Sequence, residues 1–328
     1  MECSCNQRFI GGDRDCRIDS LKYCLIVLVI IGHVFSQDQF SSVPLCVVIW
    51  KWIYMFHMPL FIFISGYLSH KKKDNRHFFI SCWKIIEPLI VYQVLLRGYI
   101  FLSTGYFSLR ELLTPWWVLW YLLSLLYWRT MIQYIPDKWL SHKKTLVLLA
   151  FVISLVSGYF PFDRFLSLQR TLAFMPFFVL GYCVRGKNLY VTKKYRVWSA
   201  LFLAITAILP LFFENYLGDL NQADPYANPL RIFSRLLVFC LSIPMLISFI
   251  NICPVRQWIA NQGKLTMQYY VFHAVIIFFF MKCVNRYNLP TTFFSAVIYS
   301  FGITTGIWLL CKIPFIAKLT NPSSLFKN

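Results

Sequence analysis

Residues 46–68, CVVIWKWIYMFHMPLFIFISGYL, form an almost unbroken apolar run whose only formally charged residue is Lys51. A helix needs about 20 predominantly apolar residues to cross the hydrocarbon core of a bilayer. This run is long enough to do so, whereas an average helix of a soluble protein has about 10–14 residues. The stretch therefore predicts a transmembrane helix.

Composition extends this prediction to the whole chain. Of its 328 residues, 58% are hydrophobic and 14% are charged, whereas soluble domains average about 45–50% apolar and about 25% charged residues. A soluble globular enzyme is therefore excluded. The expected fold class is an all-α integral membrane protein, a bundle of about ten transmembrane helices. Its segments lie at roughly 20–36, 46–68, 78–102, 115–131, 145–160, 170–184, 197–213, 232–250, 265–281 and 291–312.

Charge sets the expected orientation. The chain has 32 Lys and Arg against 13 Asp and Glu, a formal net charge of +19. Basic residues concentrate in alternate loops, and an excess of Lys and Arg is typical of cytoplasmic loops. With ten helices, this pattern places both termini in the cytoplasm, as an expectation. The expected divisions are a cytoplasmic segment at 1–18, a transmembrane domain at 19–316 and a cytoplasmic tail at 317–328. A nucleic-acid partner is not expected, because that interpretation requires a soluble basic face. We expect a multi-pass protein of a cell membrane, the bacterial inner membrane.

Four ionisable residues lie inside apolar runs, where such groups are costly and often mark a functional site. They are His33, His57, Glu87 and His273. Histidine can take a proton from an alcohol and return it, or it can accept an acyl group. The alternative is structural, because a membrane histidine can simply form a hydrogen bond with a neighbouring helix.

Two prolines accompany these groups. Pro59 follows His57 and frees the carbonyl of Met55, because proline lacks the N–H that would bond four residues back. Pro88 follows Glu87 and frees the carbonyl of Lys84 in the same way. Lys84 also lies three residues before Glu87, on the same helix face, where it can neutralise the carboxylate. Glu87 therefore has a structural alternative as an ion pair or a helix kink.

An aromatic run lies further along the chain, at Trp116, Trp117, Trp120 and Tyr121. Tryptophan and tyrosine are enriched at membrane–water interfaces, so one interpretation is an interfacial belt. The other is a stacking platform for a sugar.

Four sequence blocks then carry a resemblance to a known family. They are RIDSLKYCLIVLVIIGH at 17–33, FHMPLFIFISGYL at 56–68, WYLLSLL at 120–126 and GKLTMQYYVFH at 263–273. In this order they resemble membrane-bound acyltransferase family 3, in its fucose 4-O-acetylase-like branch. The resemblance extends from about Arg17 to about Cys311.

The resemblance implies an enzyme that moves acetyl from acetyl-CoA to a hydroxyl of a cell-surface or lipid-linked sugar. Lys22 and His33 match the family's basic-x10-His signature, which makes His33 the implied catalytic histidine and Lys22 its companion. Asp19, in the same block, is the expected N-cap of the first helix. No permanently bound cofactor and no metal site are expected, since the cysteine spacing matches no zinc pattern.

Many family members also carry an R-x-x-R pair at the start of the third helix, where this chain has Arg76, Ser81 and Lys84. The residues assigned here to the CoA phosphates, on charge alone, are therefore Lys71, Lys72, Lys73, Arg76 and Lys84. Their alternative role is to signal membrane topology.

Two functions remain open from the sequence. In the first, His33 acts in acyl transfer as a base or an acyl carrier, with His57, His273 and Glu87 as further catalytic candidates. In the second, the intramembrane His and Glu residues serve a proton-coupled transporter or flippase for a lipid-linked glycan or small solute.

Overall fold

The computed structural model describes residues 15–162, 164–189, 193–212 and 224–314, and the regular structure in these ranges is entirely helical. Each of the ten predicted segments overlaps a helix of at least eleven residues. These helices are α1 (Cys16–Phe35), α2 (Pro44–Leu68), α3 (Asn75–Thr104), α4 (Trp120–Tyr134), α5 (Lys143–Ser157), α6 (Leu168–Cys183), α7 (Arg196–Thr206), α8 (Arg231–Ile252), α9 (Thr266–Arg286) and α10 (Phe293–Cys311). Most of the predicted N-terminal segment and the predicted tail lie outside the described residues.

Six of these helices are long and apolar enough to cross a membrane, namely α1, α2, α3, α8, α9 and α10. The prediction of a multi-pass, all-α membrane protein is therefore confirmed. The helices α4, α5 and α6 have 15, 15 and 16 residues. At 1.5 Å per residue, 15 residues span about 22 Å, less than the ~30 Å hydrocarbon core. The count of ten spans and the cytoplasmic placement of both termini remain predictions.

The start of α1 corrects one expectation. Asp15, rather than Asp19, is the N-cap, because its carboxylate accepts a hydrogen bond from the amide of Arg17 at 2.8 Å. Asp19 instead lies in the first turn, where a carboxylate interacts favourably with the positive end of the helix dipole. It also forms an ion pair with Lys22 at 2.5 Å.

The chain divides into two compact units. Unit 1 comprises Met1–Phe61, Asn188–Gly218 and Cys240–Ala317, and unit 2 comprises Ile62–Lys187, Asp219–Phe239 and Lys318–Asn328. Unit 1 therefore contains α1, α7, α9 and α10, and unit 2 contains α3 to α6. The helices α2 and α8 contribute residues to both units.

In unit 1, α1 packs against a short helix at Gln257–Gly263 and against α9. Gly263 permits this contact, since a Cβ there would overlap the backbone carbonyl of Asp19. Further along α1, the rings of Tyr23 and Tyr269 meet edge to face with centroids 5.6 Å apart. Ser242 of α8 donates a hydrogen bond to the carbonyl of Met55 at 2.5 Å. That carbonyl is the one Pro59 was predicted to free, and it is satisfied by another helix.

In unit 2, small and hydroxylated residues join the helices. A Cβ at Gly66 would overlap the backbone carbonyl of Phe178, so α2 and α6 approach closely there. Small residues allow this approach between membrane helices. Across α4 and α6, the hydroxyls of Ser124 and Thr171 lie 2.7 Å apart. The indole N–H of Trp128 donates to the carbonyl of Thr171 at 3.1 Å.

Unit 2 also buries a guanidinium. Arg235 is 1% exposed and donates to the carbonyls of Ser154 at 2.8 Å and Asp224 at 2.7 Å. Its charge also lies 4.5 Å from the ring centre of Tyr226, a cation–π contact. These contacts assign Arg235 a structural role, because they satisfy an otherwise costly buried charge.

Candidate active site

Three of the predicted histidines, His33, His57 and His273, belong to unit 1. The rings of His33 on α1 and His273 on α9 are stacked, with centroids 5.4 Å apart and planes 12° from parallel. The hydroxyl of Tyr54 on α2 lies 2.7 Å from Nδ1 of His33. Three helices thus converge on the His33 ring, which is half-buried. The fold thus brings together two histidines that lie on the first and ninth helices.

His57 belongs to the same cluster through Tyr54. The two rings are 4.8 Å apart between centroids, on successive turns of α2. His57 is 2% exposed, and its Nδ1 lies 2.8 Å from the carbonyl of Ile53. A carbonyl oxygen only accepts hydrogen bonds, so Nδ1 carries the hydrogen, and the neutral ring has its lone pair on Nε2.

His273 has the same tautomer for the same reason. Its Nδ1 lies 3.0 Å from the carbonyl of Tyr269. Its Nε2 is fully buried and has no hydrogen-bond partner among the described residues. Buried polar atoms in native structures nearly always have a partner, so such an atom requires an explanation. An imidazole lone pair beside His33 is suited to a polar reactant.

His33 lies in the last turn of α1. The C-terminus of a helix carries partial negative charge, which stabilises the positive charge that a histidine gains on accepting a proton. Its own carbonyl is also satisfied, because it accepts a hydrogen bond from the Gln37 amide at 2.8 Å. Ser36 adds a hydroxyl 3.5 Å from the Tyr54 hydroxyl. These contacts fix the end of α1 that carries the His33 ring.

Lys22 and His33 are separated along α1. Eleven residues correspond to about 16 Å of rise and just over three turns, so both lie on one face of the helix. Lys22 bonds Asp19, whose other carboxylate oxygen is buried without a hydrogen-bond partner in the described chain. The structure therefore places Asp19 and Lys22 at the opposite end of α1 from His33.

Glu87 and the predicted phosphate ligands belong to unit 2. Glu87 is buried on α3, whereas Lys84 is exposed. Lys71 bonds the carboxylate of Asp137 at 2.6 Å and the carbonyl of Ile135 at 2.7 Å. Lys73 and Arg76 are exposed.

Lys72 differs from these residues, because it lines a cavity of about 50 Å³ in unit 2. None of the lining residues is acidic. They are Leu68, Ser69, His70, Lys72, Phe78, Ser81, Arg129 and Ile132. The Lys72 ammonium lies 2.9 Å from Nε2 of His70, and Arg129 donates to the hydroxyl of Ser81 at 3.4 Å. The cavity is therefore a concentration of hydrogen-bond donors and positive charge.

The basic side chains around this cavity repel one another. Burial, followed by the charges of Arg129, Lys84 and Arg185, lowers the pKa of Lys72. Burial and then Lys72, together with weaker effects of the arginines, lower the pKa of His70. A group of cations that depress one another's protonation is stabilised by an anion.

Sequence reasoning missed four of these residues. Tyr54 carried a weak signal, since it lies one helical turn before His57. Arg129 ends an apolar run, where a basic residue indicates membrane topology rather than a binding site. Ser81 was noted only at the missing R-x-x-R pair and His70 gave no signal, because the fold alone brings both residues to Lys72.

The comparisons with known proteins identify the family of this chain. The model of the acyltransferase 3 family, an acyltransferase domain, matches residues 17–312. The chain belongs to this family. The resemblance noted from the four sequence blocks is therefore confirmed, and so is acyl transfer as the enzyme class. Family membership favours acyl transfer over the transporter alternative.

Two curated relatives of this acyltransferase cover only part of it. The nodulation protein NolL of Sinorhizobium fredii is 43% identical over 65 residues, 18% of this chain and 17% of NolL. NolL of Mesorhizobium japonicum is 49% identical over 63 residues, 17% of this chain and 16% of NolL. The chain thus matches less than a fifth of the length of either relative. No solved structure matches this acyltransferase.

Proposed function

We propose that this acyltransferase moves an acetyl group from acetyl-CoA to a hydroxyl of a cell-surface or lipid-linked saccharide, with His33 as the general base. The observation that carries the proposal is the His33 ring, bonded to the Tyr54 hydroxyl and stacked on His273. An oriented imidazole within a membrane bundle is suited to taking a proton from an alcohol. We place the enzyme in the bacterial inner membrane.

The proposed step begins with the His33 Nδ1 hydrogen donated to the Tyr54 oxygen, which leaves the lone pair on Nε2. His33 then removes the proton of the acceptor hydroxyl while its oxygen attacks the thioester carbonyl. A carbon–oxygen bond forms and the carbon–sulfur bond breaks. The CoA thiolate leaves and receives the proton from His33, so an ester and a thiol are the products.

His273 supports this step by remaining neutral. Its Nδ1 hydrogen is bonded to the Tyr269 carbonyl, and a second hydrogen on the buried Nε2 would have no acceptor among the described residues, so we propose that the stacked ring adds no positive charge beside a protonated His33. A second imidazolium at this distance would oppose the proton transfer by like-charge repulsion.

For the donor, we propose that Lys72 and Arg129 bind a phosphate group of CoA. The support is the acid-free cavity between His70, Lys72, Ser81 and Arg129. Its volume of about 50 Å³ suits one phosphate group rather than a whole nucleotide. Guanidinium groups match phosphate geometry well. Lys84 and Arg185 reinforce the field, and Lys71 is already engaged with Asp137.

The test uses the full chain in lipid nanodiscs with acetyl-CoA labelled in the acetyl group and glycans extracted from the host cells. Label in the glycan supports the proposal, whereas movement of unmodified solute across vesicles would support transport. His33→Ala should lower the rate about 10²- to 10⁴-fold, the usual contribution of a general base. His142→Ala, at an exposed histidine, is the matched control. Transfer by folded His33→Ala at the wild-type rate would refute the assigned role.

A further inference from the structure

Two strained turns lie in unit 2, ahead of α4 and α6. Trp117 has φ +36°, Leu166 has φ +50° and Ser167 has φ +57°. Positive φ is unfavourable for residues with a side chain, and such strain clusters at ligand sites. The turn at Phe165–Ser167 packs against α4 and against the short helix at Leu109–Leu113. The strain is therefore gathered in one region of unit 2.

Two residues of α3 hold the segment that leads into the first turn. The buried Gln93 donates its amide to the carbonyls of Leu112 at 2.9 Å and Thr114 at 2.8 Å. The Gln93 oxygen accepts from the backbone N–H of Trp116 at 2.8 Å. Arg97 bonds the carboxylate of Glu111 at 2.9 Å. These bonds fix the backbone that presents Trp116 and Trp117.

The side chains at these turns form what we term the aromatic platform, namely Trp116, Trp117, Trp120 and Arg170. The rings of Trp116 and Trp117 meet at right angles with centroids 5.6 Å apart. The Arg170 guanidinium lies 5.2 Å from the Trp120 ring centre. All four side chains are partly exposed.

Buried polar atoms lie in the same segment of chain. The hydroxyl of Ser167 and the side-chain oxygen of Gln169 have no hydrogen-bond partner among the described residues. The two residues are 2% and 1% exposed. Gln169 is held from its other end, because its amide donates to the carbonyl of Ser157 at 3.2 Å. An amide oxygen accepts only, so it requires an O–H or N–H donor.

We propose that the aromatic platform is a saccharide-binding subsite, which takes the sugar portion of the acceptor. Pyranoses combine apolar C–H faces, which pack on indole rings such as those of Trp116 and Trp117, with hydroxyl oxygens that accept hydrogen bonds from donors such as the Arg170 guanidinium. An interfacial belt requires neither strained backbone nor a clamped loop, since it needs only exposed rings at the right depth.

The alternative ligand for an indole ring is the adenine of the donor. The positions of Trp120 and Arg129 along α4 argue against adenine as the ligand of the platform. Trp120 begins α4, whereas Arg129, which lines the basic cavity, lies nine residues later, about 13 Å of rise away. The phosphate-binding end and the aromatic end of this helix are therefore different places. The inference depends on the proposed function only in naming the sugar as the acceptor.

The experiment replaces Trp117 with glycine in the full chain. Trp117→Gly removes the ring and also relieves the positive φ, so it should keep or raise the melting temperature. Saturation-transfer NMR in nanodiscs measures the binding of methyl pyranosides of fucose, galactose and glucose. This binding should weaken roughly tenfold or more in the variant. Acetyl-CoA binding should not change. Trp139→Ala, at an exposed tryptophan of unit 2, is the matched control.

Each other result is decisive. Unchanged pyranoside binding in Trp117→Gly overturns the subsite, as does a wild-type protein that transfers acetyl yet binds none of the three pyranosides. Loss of acetyl-CoA binding instead would assign the platform to adenine. Ring-dependent pyranoside binding by a protein that transfers no acetyl would support the subsite and refute the proposed function.

Discussion

Tyr54 and His33 lie 2.7 Å apart, hydroxyl oxygen to Nδ1, and this bond fixes the ring that the proposed mechanism uses. In the proposed mechanism the tyrosine oxygen accepts the Nδ1 hydrogen, which leaves a basic Nε2. Tyr54 then positions His33 and does not itself react.

Tyr54→Phe tests that role. A hydrogen bond to a group that becomes charged contributes about 1.5–3 kcal/mol, so kcat should fall about tenfold to a hundredfold. The KM for acetyl-CoA should stay nearly constant, because the basic cavity is elsewhere in the chain. Steady-state kinetics as a function of pH measure both. Tyr287→Phe, at an exposed tyrosine, is the control, and equal kinetics of the two variants would contradict the role.

His70 makes a prediction about pH. Burial and Lys72 lower the pKa of His70 below its usual 6.5, and a bound phosphate would raise it again. Binding then takes up a proton, so this residue strengthens acetyl-CoA binding as the pH falls through this range.

Calorimetric titration with acetyl-CoA between about pH 5 and 8 tests this. As the pH falls, the affinity for acetyl-CoA should rise more steeply in the wild type than in His70→Gln. The variant also corrects for protonation of the phosphate itself. Parallel pH profiles would show that His70 does not contact the anion.

At the scale of elements, helix positions were predictable because each apolar run is bounded by polar loops. The start of α1 was missed by four residues, since Asp15 and Asp19 are both suitable caps and only the hydrogen bond to Arg17 separates them. The pairing of His33 with Tyr54 was not predictable, because it depends on how α1 and α2 pack. Likewise, the sequence places Arg129 and Lys72 in different segments, and only folding brings them to one cavity.

Gly66 provides a prediction on helix packing. Gly66→Ala would force a Cβ into the Phe178 carbonyl, and overpacking of this kind costs about 1–3 kcal/mol. In Gly98→Ala, the new Cβ meets no described atom within 4 Å, and alanine favours a helix over glycine by about 1 kcal/mol. Melting temperatures should therefore fall for the first variant and hold or rise for the second. The reverse order would show that α2 and α6 are not in close contact.

At the scale of the whole molecule, α3 is the clearest test of membrane orientation. Its 30 residues span about 45 Å, more than the ~30 Å hydrocarbon core, so we expect its two ends on opposite sides of the membrane. The basic loop before α3 is expected to be cytoplasmic.

Cysteines introduced at Lys73 and Phe107, both exposed, should react differently with a membrane-impermeant maleimide on intact cells. Phe107→Cys should be labelled directly and Lys73→Cys only after permeabilisation, with the unsubstituted protein as background. Labelling of both from outside would contradict a membrane-spanning α3, and the opposite pattern would reverse the predicted orientation.

The hydrogen bond from Ser242 to the Met55 carbonyl joins residues 187 positions apart in the chain. In hydrocarbon, a backbone oxygen that has lost its own helical donor is costly to leave unsatisfied. During synthesis α2 leaves the ribosome long before α8 exists, so this oxygen must depend on water or a chaperoning neighbour in the interval. We therefore expect a late step in biogenesis. When α8 packs against α2, Ser242 supplies the hydrogen bond that the Met55 carbonyl lacks because of Pro59.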